Sequence, residues 1–188
     1  DIVDNPQKPT RLTLDTPKSK EALAWFLDLQ VKHKVVPDAV QEAAEDSESR
    51  FQNGRLGMFL NSRRGVPAYR EISSFEWDVA PLPQGKQKAG ILHADAFCMS
   101  AATKDKASTW TFIEFAMSAE GQTILAKSGR TVPSMKSVAD SPAFLDPTLP
   151  PSRSTVFLEG IGYLRAVPIM ETWVDIESTV GKELERGM

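Results

Sequence analysis

Apolar residues along the chain group into helical and extended runs divided by proline and glycine. Leu12 and Leu14 alternate with Arg11 and Thr13, which predicts a short strand. Thr16 then offers a side-chain cap, and Pro17 a preset first residue, for a helix whose Leu23, Phe26, Leu27 and Val31 share one face. That helix is expected to stop near His33 and Lys34, where basic residues suit the negative end of the helix dipole. After Val35, Val36 and Pro37, a weaker helix is predicted through Ala39, Val40, Ala43 and Ala44, and the acidic run 42–48 reads as a solvated face.

The stretch 51–71 organises the rest. Phe51 closes a helical approach, and Gly54 stands where a helix end favours positive φ. Leu56, Met58, Phe59 and Leu60 form an apolar run of strand length. Asn61 and Ser62 can cap a helical segment after them, and Pro67 suits its first turn. Ser62, Arg63 and Arg64 are therefore expected at the mouth of a strand-to-helix connection, where open α/β sheets bind ligands.

Residues 75–81 alternate and predict another strand, the loop 81–90 carries prolines, glycines and lysines, and 90–100 resumes an extended apolar pattern. Thr103 is the expected cap of a helix from Lys104, with Ala107, Trp110, Ile113 and Met117 on one face and Phe112 and Phe115 widening it. Ser118 opens the next helix and Gly129 closes it. Residues 139–153 hold four prolines and read as a linker or long surface loop. Helices are predicted over 155–164 and 171–186, the latter with Trp173, Ile176, Val180 and Leu184 on one face. Few strands separated by helices imply α/β with parallel pairing through crossovers.

Composition narrows the function. Hydrophobic residues make up 41% of the 188 and charged ones 25%, enough for a packed core. A net charge of −3 argues against gripping nucleic acid, which needs surplus Lys and Arg. No apolar run approaches the ~20 residues of a membrane span. Cys98, the one cysteine, excludes an internal disulfide and in its apolar setting reads as a buried, inert thiol. The polar opening Asp1-Ile2-Val3-Asp4 has no basic start or apolar core of a leader and reads as a cut end.

Known chemical motifs are mostly missing. His33 and His93 lie far apart and no Cys/His cluster has zinc spacing. Gly85 and Gly90 have the spacing of a phosphate loop, but Ile91 and Leu92 stand where Lys and Ser/Thr belong. No serine sits in a Gly-x-Ser-x-Gly elbow. His93 and Asp95, two apart on an extended segment, face one side and could orient a base or bind a polar ligand. Trp173 continues an apolar stripe, yet near a helix start its ring could meet the C–H face of a sugar. Arg63 and Arg64 offer planar forks for vicinal hydroxyls, carboxylate or phosphate.

The order of segments carries a resemblance. Phe51-Gln-Asn-Gly-Arg-Leu-Gly-Met58 leads into 61–65, then Trp77-Asp-Val-Ala-Pro-Leu-Pro83, then 90–100, then Trp110-Thr-Phe-Ile-Glu-Phe115, Ser118-Ala-Glu-Gly-Gln122 and Val132-Pro-Ser134. In this order the chain resembles the bacterial ABC-transporter extracellular solute-binding proteins of family 1, the class of the maltose- and glycerol-phosphate-binding proteins, over most of 10–185. The resemblance implies a type II periplasmic-binding-protein-like fold of two α/β lobes. Residues 1–91 and 139–188 correspond to the C-terminal lobe and 92–138 to a segment of the N-terminal lobe, so the chain reads as a fragment of a longer protein. It implies a non-enzymatic, cofactor-free binder of a sugar or related solute, periplasmic or extracellular and lipid-anchored or free, that delivers ligand to a membrane permease. Self-association of the fragment is also expected, through apolar surface left bare.

Residue by residue, Ser62, Arg63 and Arg64 match a ligand-contacting turn where many relatives carry an aromatic. The two arginines point instead to hydroxyl or anionic groups, including a phosphorylated or acidic sugar. His93 and Asp95 match the crossing between lobes, and Trp173 matches an aromatic that stacks on sugar. Two other readings stay open on the residues: a small α/β hydrolase working through His93 and Asp95, and an interaction module whose aromatics are all core.

Overall fold

The computed structural model describes residues 2–187. In chain order the elements are α1 (Pro17–Val31), α2 (Ala39–Ala44), α3 (Ser47–Gln52), α4 (Val66–Tyr69), β1 (Gly90–Ile91), α5 (Lys106–Met117), α6 (Ala119–Ser128), α7 (Lys136–Ala139), α8 (Thr155–Glu159), β2 (Leu164–Arg165) and α9 (Trp173–Gly187). They fall into two compact units, one of Asp1–Gly57 with Ala166–Met188 and one of Met58–Arg165.

The first unit is helical. Thr16 caps α1 as expected, its side chain accepting from the Ser19 N–H, with Pro17 in the first turn. The helix ends at Val31, a little before His33, and Leu23, Phe26 and Val31 on its apolar face are exposed. Asp38 and Gln41 form a reciprocal capping box on α2, and Asp46 caps α3. Gly54 takes the anticipated positive φ, 70°. The strand expected at Leu12 and Leu14 reduces to one antiparallel bridge between Val3 and Leu12. The loop between them is held by Asp4, whose carboxylate accepts from the Thr10 hydroxyl and from the backbone N–H groups of Thr10 and Arg11. Trp173, Ile176, Val180 and Leu184 of α9 are all half-buried.

The second unit contains most of the buried hydrophobic residues, while Val3 is buried in the first. Asp105 caps α5, accepting from the Ser108 N–H at 3.0 Å, so the helix begins two residues later than Thr103 would have set it. Ser118 caps α6, and Gly129 ends it in the left-handed region at φ 86°. β1 and β2 pair in parallel, Gly90 with Leu164 and Ile91 with Arg165, as the crossover argument requires but over two residues only. The runs 56–60 and 75–81 form no strand; Met58 and Leu60 are 87% and 71% exposed. An apolar run becomes a strand only against a neighbouring edge, and none pairs with either among the described residues. The helix expected over 155–164 stops at Glu159 and passes through a 3-10 turn, Gly160–Tyr163, before β2.

Residues 139–153 are no surface linker. Phe144 is 2% exposed and Pro151 is fully buried. Phe144 forms the core with Ala126 and Val138, and Leu145, Phe157 and Leu158 pack against it. Ser141 makes this compaction possible: its hydroxyl donates to the Val138 carbonyl and its own carbonyl accepts from the Phe144 and Leu145 N–H groups. Those bonds fold a proline-rich segment into tight turns that point its one phenyl ring inward.

Candidate functional site

The predicted turn at 61–65 folds locally and is anchored remotely. Asn61 Oδ1 accepts from the Ser62 N–H at 2.7 Å, and Asn61 Nδ2 donates to the Tyr69 hydroxyl. Tyr69 is buried, with Phe59 and Trp77 edge-on to its ring at 6.4 and 5.8 Å. Gly65 has to be small here, because a Cβ on it would fall 2.4 Å from the Tyr69 oxygen. A 3-10 turn, Arg63–Gly65, and α4 follow, with Pro67 in the first turn as expected.

Three tethers join the stretch 63–78 to residues 150–154. Arg63 Nη1 donates to Ser154 Oγ at 3.2 Å, and Ser154 Oγ donates onward to the Pro151 carbonyl at 3.0 Å. Arg70 Nε donates to the Pro150 carbonyl at 2.8 Å, and its Nη1 reaches the Lys127 carbonyl at 3.1 Å. Asp78 accepts from Ser152 Oγ at 2.5 Å and from the Arg153 N–H at 3.1 Å. Partial burial pulls the Asp78 pKa up, but the hydrogen bonds from Ser152, Val79 and Arg153 outweigh it and leave the carboxyl below its ordinary value.

Arg63 and Arg64 part company. Arg63 is 4% exposed, with its guanidinium carbon 4.2 Å from the Phe144 ring centroid and 5.1 Å from that of Phe157. Its Nε is buried without a hydrogen-bond partner among the described residues. Burial, and then the like charge of Arg70, lower its pKa to about 10, which leaves it charged at neutral pH. Arg64 and Ser62 are exposed. The turn thus shows solvent one hydroxyl and one guanidinium, and uses the second guanidinium inside.

The remaining predicted residues lie elsewhere. His93 and Asp95 come after β1 on an exposed, irregular segment. Cys98 on the same segment is exposed, contrary to its expected burial, because among the described residues 93–100 continues without a partner strand and Phe97 and Met99 are exposed with it. Trp173 opens α9 in the other compact unit. Among the described residues no three His, Cys, Asp or Glu gather as a metal site, and no helix is long and apolar enough to cross a membrane. An open cavity of about 540 Å³ lies beside the Asp78 tether, lined by Phe75, Trp77, Leu149 and Pro150 among others. The sequence reading does not single out the tethering residues Arg70, Asp78 and Ser154, since nothing local marks partners some 57 to 91 positions away.

Two solved structures share this fold. Maltose-bound MalE3 of T. maritima superposes with a TM-score of 0.76 at 22% identity, over 98% of this chain and 48% of that one. The maltose-maltodextrin binding protein of the thermoacidophilic bacterium Alicyclobacillus acidocaldarius gives 0.69 at 20%, over 96% and 50%. The chain therefore spans about half the length of these structures and has the corresponding part of a type II periplasmic-binding-protein fold. No curated protein matches the sequence significantly. The family of bacterial extracellular solute-binding proteins matches residues 2–151, and the chain belongs to that family.

Proposed function

We propose that the chain forms part of a sugar receptor that clamps its ligand between two lobes and hands it to a membrane permease of an ABC importer. The observation that carries this is the fold shared along nearly the whole chain with two maltose-binding structures. On this reading residues 1–91 and 139–188 belong to one lobe and 92–138 to the other. Ser62 and Arg64 offer a hydroxyl and a charge to the ligand, His93 and Asp95 offer polar groups from the crossing, and Trp173 offers a ring face.

The pattern of exposed apolar residues supports a missing complement. At about 100° per residue, Trp110 and Met117 point to one side of α5 and Phe112 and Phe115 to the other. All four are between 45% and 61% exposed, and only Ala116 of this helix is buried. Large apolar side chains on two opposite sides of one helix are more than a single buried face accounts for. Ala126 and Val138 pack against Phe144, so the chain is compact on both sides of the proposed boundary at 138/139.

Titration calorimetry with maltose and with a sugar phosphate tests the reading. A longer chain that carries both lobes should bind one of them with a Kd of about a micromolar, and this chain alone with a Kd above about 1 mM. Micromolar binding by this chain alone would refute the two-lobe account.

A further inference from the structure

We propose that Arg63 is a positioning residue: through the Phe144 and Phe157 rings and the Ser154 hydroxyl it fixes the turn 61–65, leaving Arg64 as that turn's recognition charge. The inference rests on the reading of this turn as a ligand-binding wall. A guanidinium that grips a ligand must be reachable, and Arg63 is 4% exposed with its Nε shielded from solvent. Its neighbours alternate in the same sense. Ser62 and Arg64 face out, while Gly65 and Val66 are buried with Arg63.

Among the described residues the charge that bears on Arg63 is Arg70, of like sign. A buried cation without a carboxylate is costly, so its positive charge does not explain its presence. Shape does. The flat fork lies against two phenyl rings and still reaches Ser154, a geometry that an ammonium on a flexible stem does not reproduce. Ser154 is in turn tied to Pro151, so the wedge locks the turn to the same 150–154 segment that Arg70 and Asp78 hold.

Arg63→Met, Arg63→Lys and Arg64→Gln in this chain separate the roles, read by amide hydrogen exchange. Methionine keeps the ring contacts but loses the bond to Ser154, so Arg63→Met should speed exchange at 62–66 by no more than about threefold, and Arg64→Gln should leave it at the parent's rate. Arg63→Lys should speed exchange there by about tenfold or more while α6 keeps its rate. The reverse order, with Lys like the parent and Met fast, would show that the charge matters and overturn the proposal. So would equal acceleration in 62–66 and α6, or no change with Lys. If Arg63→Lys fails to fold, Arg63→Met decides: a folded chain with a protected turn supports the wedge, and an unfolded or unprotected one sinks it. A parallel maltose titration of a longer chain that carries both lobes should lose affinity with Arg64→Gln and keep it with Arg63→Met. Absence of binding in every chain that carries both lobes would strike the sugar-receptor reading alone, because the exchange measurement needs no ligand.

Discussion

Replacing Gly129 by alanine should destabilise the second unit more than any other single added methyl at a glycine with positive φ. Two costs act together. At φ 86° the backbone lies in the left-handed region, which costs an L side chain roughly 1–2 kcal/mol. The new Cβ would also fall 2.8 Å from Val66 Cγ1 and 2.9 Å from Arg70 Nη1. Val66 is buried and cannot swing away, and Arg70 is held by the Lys127 and Pro150 carbonyls. Overpacking of this kind costs about 1–3 kcal/mol, so the sum is roughly 2–4 kcal/mol, the two parts sharing some relaxation. Urea unfolding followed by tryptophan fluorescence measures it. Gly57 is the control, with nothing within 4 Å of a Cβ, so Gly57→Ala should stay within about 0.5 kcal/mol of the parent. A loss below about 0.5 kcal/mol for Gly129→Ala would refute the reasoning, because it would mean that the helix end and the Arg70 tether yield freely.

Two further outcomes concern the same unit. Asp78 has its pKa lowered in the folded chain, so its contribution is present above the ordinary carboxylate value of 3.8 and is lost as pH falls through the folded value. Asp78→Asn should therefore lower the urea midpoint at pH 7, and the difference from the parent should shrink toward pH 3; a difference that persists undiminished there would contradict the tether. Cys98 is exposed, so a disulfide thiol reagent should label it in the folded chain nearly as fast as in urea, and labelling only after unfolding would contradict its placement.

The sequence reading succeeds where structure is decided within a few residues. Thr16 with Pro17, Ser118 and the glycines at 54 and 129 all act as their local chemistry directs. A cap bonds its own first turn, and a left-handed residue needs only its own lack of Cβ. Asp105 displaces Thr103 as the cap of α5 because both are sound local choices, and the aspartate bonds the Ser108 N–H at the head of the regular helix. Strands behave otherwise. The apolar runs at 56–60 and 75–81 have the composition of strands, but pairing is non-local and neither finds an edge among the described residues. The proline-rich segment 139–153 misleads for a related reason. Its prolines argue correctly for turns, while the decisive residue is Phe144, whose burial depends on Ala126 and Val138 from other elements.

The two arginines show where local reading stops. Side by side in sequence, Arg63 and Arg64 share a charge, a donor set and a turn, and nothing in the turn tells them apart. The difference lies in residue 154, together with Phe144 and Phe157, all some eighty or more positions away. Burial decides the matter because a guanidinium can serve either as a charge for a ligand or as a flat, donor-edged plate for aromatic rings, and only the surroundings select between them. If the turn is the ligand-binding wall proposed above, the inward arginine would hold its backbone path, and the exposed Arg64 and Ser62 would be the side chains that meet a solute. Here the doubled arginine is better read as one support and one contact than as two contacts, because adjacent residues of a 3-10 turn point about 120° apart and one of the two is buried.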